Sequence, residues 1–107
     1  MIVEVENFFD KKIKILIPKK FEDDRGFFSE KYNKNDFLQI GINENFVQDN
    51  FSYSIKRGTL RGLHFQNPPY EQSKIINVTK GKILDVVVDL RKNSKTFGKY
   101  ITCELSK

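Results

Sequence analysis

The chain has 107 residues, among them ten phenylalanines, four tyrosines, one cysteine and one histidine, with a formal net charge of +5. That length supports a single domain, residues 1–107, around one hydrophobic core and leaves no room for a second. No run approaches the ~18 apolar residues of a membrane span, Met1 to Glu6 has neither the basic nor the apolar region of a secretory signal, and Cys103 alone cannot close an internal disulfide, so a cytoplasmic setting is expected.

Lys12 to Ile17 alternates and stops at Pro18, which predicts an edge strand. The alternating sequence from Met1 to Ile17 is more edge than one small sheet covers, so a homodimer or larger assembly is expected. Glu22 to Gly26 reads as a turn and Phe27 to Tyr32 as the strand after it. Asn33 can cap a short helix, Lys34 to Ile40, closed by Gly41. Phe46 to Tyr53 reads as a strand leading to a turn near Arg57-Gly58, and Thr59 to Gln66 as another, broken by Asn67-Pro68-Pro69-Tyr70. Lys74 to Val78 and Ile83 to Leu90 flank Lys80-Gly81, a hairpin signal. Phe97 to Leu105 completes the strands. Many short strands with one short helix predict an antiparallel sandwich or jelly roll, an architecture that encloses a ligand cavity between its sheets.

In such a fold the inward polar residues carry the function. Extended backbone from Thr59 to Gln66 puts Leu60, Gly62, His64 and Gln66 on one side and Arg61, Leu63 and Phe65 on the other. His64 is the only imidazole. Arg61 offers a fork of donors suited to phosphate, Lys74 opens an apolar strand, Gln48 and Asn50 share a face, and Glu30 follows Phe27-Phe28. Neutral imidazole is a base near pH 7, and an ammonium group can stabilise an enolate formed beside a ketone. His64, Lys74 and Arg61 are expected to face one cavity between two sheets.

Charge is unevenly placed: residues 1–50 hold 8 Lys/Arg and 10 Asp/Glu, residues 51–107 hold 11 and 4. The second half suits a phosphate-bearing partner. Structural readings of the same residues stand beside these. A lone strand histidine can be scaffold, Arg61 can pair with Asp49, Asp23 to Gly26 can be only a turn, Gln48 and Asn50 can cap local backbone, and the lysines can be a solvated surface. One histidine and one cysteine make a poor transition-metal site, so no metal is expected. No glycine-rich phosphate loop, dinucleotide fingerprint or nucleophile elbow is present.

Four ordered blocks resemble the dTDP-4-dehydrorhamnose 3,5-epimerase family. They are Phe21-Glu22-Asp23-Asp24-Arg25-Gly26-Phe27-Phe28-Ser29-Glu30; Phe46 to Ser52; Leu60-Arg61-Gly62-Leu63-His64-Phe65-Gln66 with Pro68-Pro69, Gln72 and Lys74; and Gly81 to Arg91 ending in Thr96-Phe97-Gly98. The resemblance implies a cupin-type antiparallel jelly roll, a cytoplasmic homodimer and a cofactor-free epimerase acting on dTDP-4-dehydro-6-deoxy-D-glucose. Carried over by motif, His64 matches the base that removes the C3 and C5 protons and Lys74 the lysine near the C4 oxygen. Arg61, Gln48 and Asn50 match substrate-binding positions, as do Arg25 and Glu30, which in the family can come from the partner subunit.

Ser73 stands where the family often has glycine. The family's chains also run longer, and the resemblance puts the tyrosine acid, a carboxylate supporting the histidine and a second histidine motif in that further part. Tyr32, Tyr53, Tyr70 and Tyr100 lie outside the acid's motif, so the chain reads as an N-terminal portion with little turnover of its own. The competing readings are a non-catalytic sugar-nucleotide-binding cupin, a 3- or 5-only epimerase, and a basic nucleic-acid-binding β domain. The last lacks any recognisable motif, and its aromatics fit a core.

Overall fold

The computed structural model describes residues 1–107. Six strands and one helix follow in chain order: β1 (Ile2–Phe8), β2 (Ile13–Pro18), β3 (Phe21–Asp23), β4 (Gly26–Phe28), α1 (Lys34–Gln39), β5 (Lys82–Val88) and β6 (Tyr100–Ser106). Each strand pairs antiparallel with one neighbour, giving the two-stranded sheets β1-β2, β3-β4 and β5-β6. The chain divides into two compact units, Met1–Glu44 and Asn45–Lys107.

In the first unit β2 is the strand that ends at Pro18. It pairs with β1 from Phe8↔Ile13 to Ile2↔Pro18, so the Met1 to Ile17 sequence finds a partner within the chain on one side. The Asp23–Gly26 turn joins β3 to β4, and the expected longer strand to Tyr32 stops at Phe28. Beyond Phe28 the chain turns to side-chain and cap contacts, beginning with the Ser29 hydroxyl, which donates to the Lys19 carbonyl at 2.8 Å.

Helix α1 forms where its caps predict. The Asn33 side chain accepts from the Asn35 and Asp36 amides at 2.9 and 3.2 Å, which satisfies two of the free donors of the first turn. At the other end Gly41, at φ 85°, lets its own amide reach the Leu38 carbonyl and that of Ile42 reach Phe37 at 2.8 Å. These paired bonds are the Schellman stop that favours glycine. The helix buries Phe37, 2% exposed, with the Tyr32 ring edge-on at 4.9 Å between centroids.

In the second unit β5 and β6 run in register from Lys82↔Ser106 to Val88↔Tyr100. Ile101, Cys103 and Leu105 form the half-buried face of β6, the period-2 pattern of a strand with one covered side. This pairing corrects the hairpin expected at Lys80-Gly81. The partner of β5 comes from residues 100–106, because the connection at 89–99 is folded around Asp89 and returns the chain to the β5 edge. Asp89 and Lys99 bond through backbone at 2.9 Å, and the Gly98 amide reaches the Asp89 carbonyl at 2.8 Å.

A second correction concerns residues 46–53, 59–66 and 74–78. All three were expected as strands, and none joins a ladder. A strand needs a neighbour about 4.7–4.9 Å away, and no segment of these 107 residues takes that place. Large apolar side chains there consequently stay exposed, Leu60 at 88%.

Candidate active site

In the second unit, His64 is exposed and outside any ladder, and neither ring nitrogen makes a hydrogen bond or ion pair. The ring lies close to Gly62. Gly62 sits at φ 89°, and a β-carbon built there would stand 3.0 Å from His64 Nδ1 and 3.2 Å from the His64 amide. Only glycine meets both the left-handed backbone and the close approach.

Arg61 reaches back to the preceding segment. Its Nε donates to Ser54 Oγ at 3.0 Å and Nη2 to the Tyr53 carbonyl at 3.2 Å. The pairing with Asp49 is not formed, and the guanidinium keeps donors to spare for an anion. Gln48 and Asn50 do share a face: Gln48 Nε2 donates to Asn50 Oδ1 at 3.1 Å. They brace one another rather than cap backbone. Lys74 is exposed with no ion-pair partner.

The expected cavity holding His64, Lys74 and Arg61 between two sheets is not formed. All three residues are exposed instead, because the segments 59–66 and 74–78 that carry them join no sheet.

The first unit carries Arg25 and Glu30. Arg25 closes the β3-β4 turn: its amide donates to Asp23 Oδ1 at 2.8 Å and its guanidinium grips both carboxylate oxygens. The Arg25 hydrogen bonds hold the Asp23 carboxyl below its ordinary value. Glu30 accepts from the Met1 ammonium at 3.2 Å, and Asp36 lies 3.1 Å from the same nitrogen. The Asp36 carboxylate first, then Glu30, raise that amine above its ordinary value. These groups line a cavity of about 480 Å³ whose apolar walls include Ile2, Phe21, Phe28 and Ile40. The aromatics nearby carry cations, Lys19 Nζ at 4.9 Å from the Phe21 centroid and Lys20 Nζ at 4.7 Å from that of Phe27.

Two features escape sequence reasoning. One is the Gly62 contact, which needs three-dimensional proximity to be seen. The other is the connection at 89–99. The buried Asp89 carboxylate accepts from the Arg91 amide and Nε at 3.0 Å each, from Arg91 Nη2 at 3.0 Å, from Ser94 Oγ at 2.7 Å and from Thr96 Oγ1. Arg91 foremost, then Thr96 and Ser94, push its carboxyl far below the ordinary value. An aspartate followed within seven residues by arginine, serine and threonine is the available signal. No group of three or more His, Cys, Asp and Glu side chains is placed to hold a metal, and no helix is long and apolar enough to cross a membrane.

Residues 11–107 match the sequence model described as dTDP-4-dehydrorhamnose 3,5-epimerase. The protein of that name from Escherichia coli (strain K12) is 50% identical over 93 residues, which are 86% of this chain and 50% of the relative. The chain spans about half the length of the curated relatives it matches. The crystal structure of the Bacillus anthracis dTDP-4-dehydrorhamnose 3,5-epimerase with TDP and pyrophosphate bound is 50% identical. It superposes with a TM-score of 0.92 over 96% of this chain and 59% of that one. A Legionella pneumophila dTDP-6-deoxy-D-glucose-3,5-epimerase in complex with dTDP-4-keto-L-rhamnose is 41% identical, with a TM-score of 0.87 over 96% of this chain and 54% of that one. The strands therefore follow the path of a cupin-type jelly roll.

Proposed function

The chain belongs to the dTDP-4-dehydrorhamnose 3,5-epimerase family, and we propose that residues 1–107 are the N-terminal portion of its epimerase domain. The reaction is cofactor-independent epimerisation at C3 and C5 of dTDP-4-dehydro-6-deoxy-D-glucose, giving dTDP-4-dehydro-L-rhamnose for dTDP-L-rhamnose synthesis. The ketone at C4 acidifies both neighbouring C–H bonds. His64 takes a proton, the C–H electron pair moves to the C4 oxygen as an enolate, and the Lys74 ammonium stabilises that oxygen. Return of a proton to the opposite face inverts the carbon.

Arg61 binds the diphosphate, Gln48 and Asn50 the sugar, and Arg25 and Glu30 act in substrate binding from a partner copy in a cytoplasmic homodimer. A dimer mass in sedimentation checks the last point. The observation that carries the reading is the sole imidazole of the chain, beside Gly62 with both nitrogens unengaged, within the stretch that matches the family.

Solvent deuterium entering the sugar at C3 and C5, followed by NMR, is the test. His64→Asn is expected to slow that exchange ~10²–10⁴-fold, the usual contribution of a general base. Exchange at the same rate in this variant overturns the assignment. Binding of dTDP with no exchange in either form points to a sugar-nucleotide-binding protein without catalysis.

A further inference from the structure

Arg61 differs from Arg25 and Arg91 in what its guanidinium meets. In each side chain the Nε–H and the neighbouring N–H of Nη2 form one edge of the planar fork. Arg25 gives that edge to the Asp23 carboxylate and Arg91 gives it to the Asp89 carboxylate, with Nε–O distances of 3.2 and 3.0 Å. Both cations are thereby paired within the chain. Arg61 gives the same edge to two uncharged oxygens, Ser54 Oγ at 3.0 Å and the Tyr53 carbonyl at 3.2 Å. Its orientation is set while its charge stays uncompensated.

The sequence builds this arrangement locally. Thr59 closes a turn onto the Lys56 carbonyl, with its amide at 3.4 Å and its hydroxyl at 2.7 Å. The turn returns Arg61 to the side of Tyr53 and Ser54. What remains of the fork is its outer edge, made by Nη1 and the second N–H of Nη2. Two parallel donors on an unpaired cation suit two oxygens of one phosphate group. We infer that Ser54 is a positioning residue for anion binding: its hydroxyl holds the Nε edge of Arg61, so that the outer edge of the guanidinium takes a phosphate of a nucleoside diphosphate. This rests on the assignment of Arg61 to the diphosphate and adds the residue through which Arg61 is aimed.

Calorimetric titration with dTDP tests it. Ser54→Ala is expected to weaken dTDP ~3–10-fold, the range that one hydrogen bond supports. Ser54→Thr keeps the hydroxyl and should restore the affinity. In an Arg61→Ala background Ser54→Ala should change nothing further, because Ser54 acts only through Arg61. A measurement without ligand stands beside these: exchange of the Arg61 Nε–H with water, read by nitrogen-15 NMR, should speed up in Ser54→Ala and slow again in Ser54→Thr. Parent affinity in Ser54→Ala overturns the role of Ser54 alone, and so does an equal loss with and without the Arg61 side chain or an unchanged Nε–H exchange rate. A parent protein that binds no dTDP overturns the assignment of Arg61 and this role with it, which tells the two failures apart.

Discussion

The His64 imidazole lies against Gly62, so close that a methyl group at position 62 would meet Nδ1 at 3.0 Å. The backbone path that presents the imidazole therefore depends on the absence of a side chain two residues earlier.

Gly62→Ala tests that dependence. The left-handed backbone at φ 89° costs a non-glycine residue roughly 1–2 kcal/mol, and the β-carbon pushes the ring off its position. Deuterium exchange into the sugar is expected to fall ~10²-fold, the scale set by a small misplacement of a reacting group, while dTDP affinity holds. An unchanged exchange rate would show that the ring position has no bearing on the chemistry.

Local signals in the sequence translate directly into structure, and non-local ones do not. Asn33 and Gly41 mark α1 because each acts on amides or carbonyls within four residues of itself. Asp23 to Gly26 marks the β3-β4 turn for the same reason. Lys80-Gly81 looks like a hairpin turn, yet β5 pairs with residues 100–106, since pairing is decided by what the whole chain can bring alongside. Residues 59–66 read as a strand from their pattern, but ladder bonds depend on a neighbour and not on the segment. The candidate site follows the same division. Residue types at His64, Arg61 and Lys74 are readable from motif, whereas the Ser54 hydroxyl and Tyr53 carbonyl that steer Arg61 are not.

The caps of α1 give a stability test. Asn33→Ala removes the side-chain acceptor of two amides and should destabilise the first unit by about 1 kcal/mol. Gly41→Ala should cost about the same through its left-handed backbone. Thermal denaturation followed by circular dichroism reads both. A neutral Asn33→Ala would mean water replaces the cap without loss.

Asp89 ties stability to acid. Its carboxyl is held far below the ordinary 3.8 by Arg91, Thr96 and Ser94. A carboxyl depressed in the folded state stabilises fully above its unfolded value, and that stability drains away as pH falls toward the folded one. Between pH 5 and 8 Asp89→Asn should therefore lower the melting temperature of the second unit. The gap from the parent should shrink steadily below pH 3.8, where the parent carboxyl is losing its advantage. A gap of constant size from pH 7 to pH 2 would mean that the charge on Asp89 is not what holds the 89–99 connection.

The proposed diphosphate contact of Arg61 is tested through binding. Its Nε is taken by Ser54 Oγ and its Nη2 by the Tyr53 carbonyl, which aims the planar group while leaving N–H bonds for a diphosphate. Eleven Lys/Arg against four Asp/Glu in residues 51–107 add a general attraction for anions. The two contributions separate by substitution. Arg61→Ala should weaken dTDP by ~10-fold or more, the worth of a charge-assisted hydrogen bond. Arg61→Lys keeps the charge but cannot reach both Ser54 and Tyr53 while gripping phosphate, so it should recover only part of the affinity. Raising ionic strength from about 0.01 to about 0.15 M shortens the Debye length from ~30 to ~8 Å, and should weaken the parent more than Arg61→Ala. Calorimetric titration of dTDP at the two salt concentrations measures all of this. Equal affinity and equal salt dependence in parent and Arg61→Ala would remove Arg61 from the binding site.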